Sequence, residues 1–101
     1  MKNYDSKFKY LWEHQKTLCA MTGKWLSHSS KVDMQHCCHQ TKWRRKKFPL
    51  FIDSILNLRL VDHSYHLTHG SELKIYDLQA EKYEKFLERH PMISQWVNNP
   101  V

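Results

Sequence analysis

Apolar positions recur along the chain in two different periods, and the alternation between them outlines its elements. From Tyr4 to Thr17, Phe8, Leu11 and Trp12, with Gln15, fall on one stripe at helical spacing, and Asp5 or Ser6 can cap it. Cys19-Ala20-Met21-Thr22-Gly23-Lys24 reads as a tight turn in which Gly23 supplies a positive φ. Trp25 and Leu26 can open a strand, and Ser27 to Ser30 is turn-like. Val32, Met34 and His36 then alternate with Asp33 and Gln35, the period of a short strand. Gln40 to Lys47 is polar and strongly basic, which predicts an exposed loop, and Pro49 argues against regular helix in the apolar run Phe48 to Ile52. A second strand is expected where Leu58, Leu60 and Asp62 face one way and Arg59 and Val61 the other. One or two helical turns follow from His63 to His69, stopped by Gly70. A longer helix is expected from Asp77, its cap, to Glu88, with Leu78, Tyr83, Phe86 and Leu87 on its apolar face. His90-Pro91 breaks it, and Met92 to Val97 can form a last short helix. The order predicts an α+β fold with a very small sheet.

Composition narrows what such a fold can do. One hundred and one residues allow one domain and one small core. The formal charge of +6 points to a polyanionic partner. That charge is uneven, since residues 1–70 hold twelve Lys/Arg against five Asp/Glu and residues 71–101 hold four against five. Two glycines leave no phosphate-cradling loop. No apolar run approaches the ~18 residues of a membrane span, and the polar, lysine-rich stretch Met1 to Tyr10 predicts no secretory signal. Three cysteines, two of them adjacent, are not a disulfide framework, so a reducing, cytoplasmic setting is expected.

The candidate chemistry lies in the histidines. Five of the eight fall between His36 and His69, among Asp33, Asn57 and Asp62, and histidine is both the commonest metal ligand and the readiest base near neutral pH. Helical residues three apart are about 5–6 Å apart at Cβ, so either His66 with His69 or His63 with His66 can grip one ion, whereas His63 and His69 diverge.

The segment Asn57-Leu58-Arg59-Leu60-Val61-Asp62-His63-Ser64-Tyr65-His66-Leu67-Thr68-His69-Gly70 resembles the C-terminal half of an HNH nuclease motif. In that family an Asn opens the second strand, a His follows nine residues later, and a last His comes one helical turn on. Val32 to Thr41 is similar to the upstream half, a strand ending in His before a basic loop. Cys19 to Lys24 is similar to the Cys-x-x-Cys-Gly knuckle that precedes many such strands, with Thr22 in place of the second Cys. The likeness covers roughly residues 12–70.

The resemblance implies a small ββα-metal core, a two-stranded hairpin plus helix with flanking N- and C-terminal helices. It implies one nuclease domain over residues 1–101, its motif core at about 17–70 and a helical extension at 71–101. The activity implied is metal-dependent hydrolysis of DNA phosphodiester bonds, using Mg²⁺, Mn²⁺ or Zn²⁺, by a monomer or homodimer acting on double-stranded DNA. By the resemblance His36 is the general base, and Asn57 is either a ligand or the residue pinning the loop that carries the base. His66, His69 and Gln35 are the metal ligands, and Lys42, Trp43, Arg44, Arg45, Lys46, Lys47 and Arg59 hold the nucleic-acid backbone. Gln35 stands where the family usually has Asp or His, which leaves Asp33 as a substitute. The short His66-x-x-His69 spacing leaves His63 and His66 as a rival pair. Cys19, Cys37, Cys38 and His39 are a conceivable zinc set without regular spacing. The small size suits a phage or mobile-element enzyme. The alternative is a non-catalytic nucleic-acid-binding module on a degenerate ββα-metal scaffold, and a third option is a zinc-stabilised protein-interaction domain.

Overall fold

The computed structural model describes residues 4–15, 18–26, 32–69 and 73–100. Five α-helices and one two-stranded antiparallel sheet make up a small α+β domain among them. The helices are α1 (Tyr4–His14), α2 (Lys42–Lys47), α3 (His63–His69), α4 (Asp77–Arg89) and α5 (Pro91–Asn98), and the strands are β1 (Val32–His36) and β2 (Leu58–Asp62). The expected turn at Ser27 to Ser30, the helix stop at Gly70 and the first helix's extension to Thr17 lie outside the described residues. None of the described helices is long and apolar enough to cross a membrane.

The sheet follows from the alternation in sequence. Asp33 pairs with Val61, Met34 with Leu60, Gln35 with Arg59 and His36 with Leu58. Side chains of paired residues share a face and successive ones alternate. Asp33, Gln35, Arg59 and Val61 therefore lie on one face, and Met34, His36, Leu58 and Leu60 on the other. The outer edge of β2 is covered by the cysteine turn. Ala20 N–H donates to the Leu60 carbonyl at 3.0 Å, Asp62 N–H donates to Cys19 Sγ at 3.2 Å, and the Gln15 amide both accepts from Leu60 N–H and donates to its carbonyl. An open strand edge is thereby paired without a third strand; Trp25 contributes only an isolated bridge to Leu18.

The turn keeps its shape with one cysteine. Gly23 takes φ 71°, its N–H reaches the Cys19 carbonyl at 2.8 Å, and Cys19 N–H reaches Lys24 O at 2.8 Å. Burial pushes the Cys19 thiol up, but the Thr22 hydroxyl and the N–H groups of Asp62, Thr22 and Met21 outweigh burial and hold it below the ordinary thiol range. Thr22 thus contributes a hydrogen bond to Cys19 within the turn.

Two expectations need correction. The basic run is not a loop but α2, capped by Thr41, whose Oγ1 accepts from Arg44 N–H. The inward face of α4 is Ala80, Glu84 and Leu87, while Leu78, Tyr83 and Phe86 are exposed. Glu84 decides this rotation. The loop Phe48–Ser54 carries Phe48, Phe51 and Ile52 into the core, and its turning backbone leaves two donors unpaired. Glu84 accepts both, from Leu50 N–H at 3.0 Å and Phe51 N–H at 2.9 Å. Helix α1 buries Lys7 together with Leu11, and Phe8 and Trp12 stack on each other at the margin of the core.

Removing the Glu84 carboxylate leaves two backbone donors with no acceptor. Glu84→Ala is expected to destabilise the protein by roughly 2–4 kcal/mol in urea unfolding; a loss below about 0.5 kcal/mol would show that water replaces it.

Candidate functional site

The site is built around the end of β1. Asn57, fully buried, closes a 3-10 turn (Ile55–Asn57) just before β2. Its Oδ1 accepts from Cys38 N–H at 2.6 Å, and its Nδ2 donates to the carbonyls of Cys38 at 3.0 Å and Ile52 at 2.8 Å. Cys37 N–H adds a bond to the Asn57 carbonyl at 2.8 Å. Every polar atom of the Asn57 side chain is used in gripping backbone, which is the geometry of the pinning alternative and not that of a ligand. Cys37 and Cys38, which the bend turns inward, are buried, and burial pushes both thiols up.

His36 stands one residue before that bend, its side chain 9% exposed. Its Nε2 donates to Asp53 Oδ1 at 2.8 Å. The other oxygen of Asp53 accepts from Arg45, which also reaches Gln40. Buried Lys7 donates to the Asp53 carbonyl at 2.6 Å. Burial, aided by the charges of Arg45 and Lys7, pushes His36 below the ordinary histidine range in spite of Asp53. Burial alone would raise Asp53, but its hydrogen bonds to Arg45 and His36 outweigh that and hold it below the usual carboxylate range. The pair is therefore a neutral imidazole beside an ionised carboxylate. An ionised carboxylate only accepts, so the ring proton sits on Nε2 and the lone pair on Nδ1.

The opposite face of the sheet carries a second cluster. Asp62 ends β2 and caps α3, accepting from Tyr65 N–H at 3.0 Å. With no loop between strand and helix, the first turn of α3 comes back over β1. His63 Nδ1 and His66 Nδ1 both reach Asp33, at 2.8 and 3.0 Å from the same oxygen. Burial pushes Asp33 up, and the hydrogen bonds from His66 and His63 outweigh it and hold the carboxyl low. His69 is not part of this cluster. Its ring stacks on Tyr65 at 3.8 Å and its Nδ1 lies 3.1 Å from the Tyr65 carbonyl. Gln35 lies on the same face as Asp33, buried, with Nε2 donating to Leu73 O at 3.0 Å and Oε1 without a partner among the described residues. Among the described residues no three His, Cys, Asp or Glu side chains stand as a ready-made ligand set; the conceivable set of Cys19, Cys37, Cys38 and His39 is thus not assembled, and Asp33, His63 and His66 meet through hydrogen bonds.

The basic residues divide into two groups. Arg44 is paired with Asp77 at 2.8 Å, Arg45 with Asp53, and Arg59 donates to the carbonyls of Ile55, Leu56 and Leu58. These three cations are held by the protein itself. Lys42, Trp43, Lys46 and Lys47 are exposed on α2, with the Arg44 guanidinium 4.6 Å from the Trp43 ring centroid. Sequence reasoning passed over Asp53 and Lys7, and it took Asp77 for the cap of α4, where Tyr76 is the cap and Asp77 pairs with Arg44. Asp53 sits in an irregular loop with no periodic signal, and Lys7 reads as an ordinary solvated lysine.

The Asp53 carboxylate gives a signed pH dependence. Its folded value lies below its unfolded one, so its contribution is present above the unfolded value near 3.8 and is lost as pH falls through the depressed folded value. The stability difference between wild type and Asp53→Asn is therefore expected to be full at pH 6 and to shrink below about pH 4. Urea titrations at pH 3 to 6 check this, and a gap that widens on acidification would contradict it.

Comparison of the chain with protein-family models, with curated proteins and with solved structures returned no match.

Proposed function

We propose that this chain is a compact metal-dependent endonuclease on a ββα-metal core, hydrolysing DNA phosphodiester bonds with His36 as general base. The observation that carries the reading is the Asn57 clamp. One buried amide ties the bend after the His36-bearing strand to the strand that leads into the histidine helix, as the resemblance of Asn57 to Gly70 to an HNH motif implies. In this reading His36 Nδ1 takes a proton from the attacking water while Asp53 holds the Nε2 proton. Such help is typically worth ~10²–10⁴-fold in rate.

Asp33, His63 and His66 are the residues that would hold the ion. One carboxylate and two imidazoles suit a divalent transition ion. The cluster, now joined by hydrogen bonds of 2.8–3.0 Å, would have to open to admit an ion. A bound ion supplies Lewis-acid stabilisation of the scissile phosphate and leaving oxygen. In this reading His63 and Asp33 take the places first expected of His69, which turns to Tyr65, and of Gln35, whose amide nitrogen is held by Leu73 O. Lys42, Lys46 and Lys47 would meet phosphates, with Trp43 beside them.

One observation favours the second reading, a nucleic-acid-binding module that does not cleave. His36 and Asp33 are three residues apart and so lie on opposite faces of the sheet, roughly 10 Å along the strand. Plasmid incubated with Mg²⁺, Mn²⁺, Ni²⁺ or Zn²⁺ separates the two. Wild type should nick it, His36→Ala should lose at least ~10²-fold, and Asp33→Ala and His66→Ala should lose the metal response. Salt-sensitive binding by wild type with no cleavage under any metal leaves the binding module.

The two groups of cations predict different salt behaviour. Replacing Lys42, Lys46 and Lys47 with Ala should reduce the slope of log K against log salt by up to ~2–3 units, near 0.9 per lost phosphate contact. Arg45→Ala should leave the slope unchanged, and an equal drop for Arg45→Ala would mean that its pairing with Asp53 opens on binding.

A further inference from the structure

We infer that Asp53 is the positioning residue for His36, fixing the imidazole in the Nε2–H tautomer so that Nδ1 carries the lone pair. The inference rests on the nuclease reading for its consequence, and on the geometry around Asp53 for its content.

Four contacts set the carboxylate in place. Oδ1 accepts from His36 Nε2 at 2.8 Å, and Oδ2 accepts from Arg45. Arg45 is itself steadied by Gln40, and the Asp53 backbone is held from the far side by Lys7 Nζ at 2.6 Å. Lys7 is 2% exposed, and a buried lysine is rare unless it is paired. It reaches from α1 across 46 residues of sequence to hold a loop that contributes nothing to the sheet. Arg45, Lys7 and the imidazole thus all donate to Asp53, two to its carboxylate and one to its backbone carbonyl.

Arg45 makes the tautomer depend on the carboxylate specifically. A guanidinium has donors only, so whatever stands at residue 53 must turn an acceptor toward it. With Asp, a second acceptor remains for Nε2–H. With Asn, the amide oxygen goes to Arg45 and the NH₂ faces Nε2. A donor facing Nε2 demands the lone pair there, and the proton moves to Nδ1. Asp53→Asn is nearly isosteric, yet it should convert His36 into the tautomer unable to accept a proton from water at Nδ1. Relieving the constraint reverses the effect: in Asp53→Asn with Arg45→Met the amide is free to rotate, and its oxygen can again accept from Nε2–H. A residue that merely supported the fold would predict no such rescue.

The test is long-range ¹H–¹⁵N correlation on the histidine-labelled full chain, read above the titration range of His36. The expected results are Nε2–H in wild type, Nδ1–H in Asp53→Asn and a return to Nε2–H in the double variant. In parallel, plasmid nicking should fall ~10²–10⁴-fold in kcat for Asp53→Asn with little change in KM, because the exposed lysines of α2 are untouched. Wild type in the Nδ1–H form overturns the proposal and needs no variant, which covers the case in which Asp53→Asn fails to fold. An unchanged tautomer in folded Asp53→Asn overturns it as well. The expected tautomers in a protein that cleaves nothing under any metal uphold the Asp53 assignment and overturn the nuclease reading instead.

Discussion

The side-chain amide of Asn57 is the interaction on which the arrangement depends. A two-stranded sheet has no independent stability, and here 21 residues separate the end of one strand from the start of the next. Asn57 closes that gap from inside. It needs an acceptor for Cys38 N–H and two donors for the carbonyls of Cys38 and Ile52, and only an amide offers both in one short side chain. Aspartate would present acceptors to carbonyls and leucine would leave three buried backbone groups unsatisfied, each unsatisfied group costing about 1–3 kcal/mol. The clamp thus sets the bend after His36 and the start of β2 together, so the site and the sheet form as one event.

Around that clamp, carboxylates sort the positive charge. Asp53 takes His36 and Arg45, Asp33 takes His63 and His66, and Asp77 takes Arg44. The two arginine pairings remove cations from the surface, and the histidine pairings fix the orientation of their rings. On α2 itself, what stays exposed is Lys42, Lys46 and Lys47, with the half-exposed Trp43. A short basic helix is itself unstable by charge repulsion. Its Thr41 cap and the two arginine–aspartate pairs supply what repulsion removes.

Three histidines outside these clusters repeat one device. His14, His69 and His90 each stack on an aromatic residue four positions earlier, Tyr10, Tyr65 and Phe86, and each directs Nδ1 at that residue's carbonyl. All three stand at helix C-termini. Part of the histidine excess therefore goes into this ring-and-carbonyl contact within a helix, and His69 belongs to it. His69 lies three residues from His66, the spacing that suggests a ligand pair, and four from Tyr65, the residue it stacks on.

Period and punctuation in the sequence by themselves determined the order of the elements apart from α2, the two strands and the phase that puts Asp33 and Gln35 on one face and His36 on the other. These are local properties, dictated by side-chain alternation and by Gly23, Pro49 and Pro91. Neighbour relations between distant residues were left to the tertiary structure. Nothing in the pattern of α1 marks Lys7 as buried, because its partner is a carbonyl 46 residues away. The face that α4 turns inward was decided by two unpaired N–H groups in a loop 33 and 34 residues earlier, against the pull of its own aromatic residues. The choice between His63 and His69 was decided by the position of Asp33 across the sheet. Periodicity determines which residues share a face; which of them find a partner depends on desolvated polar groups that must be satisfied wherever the chain brings them.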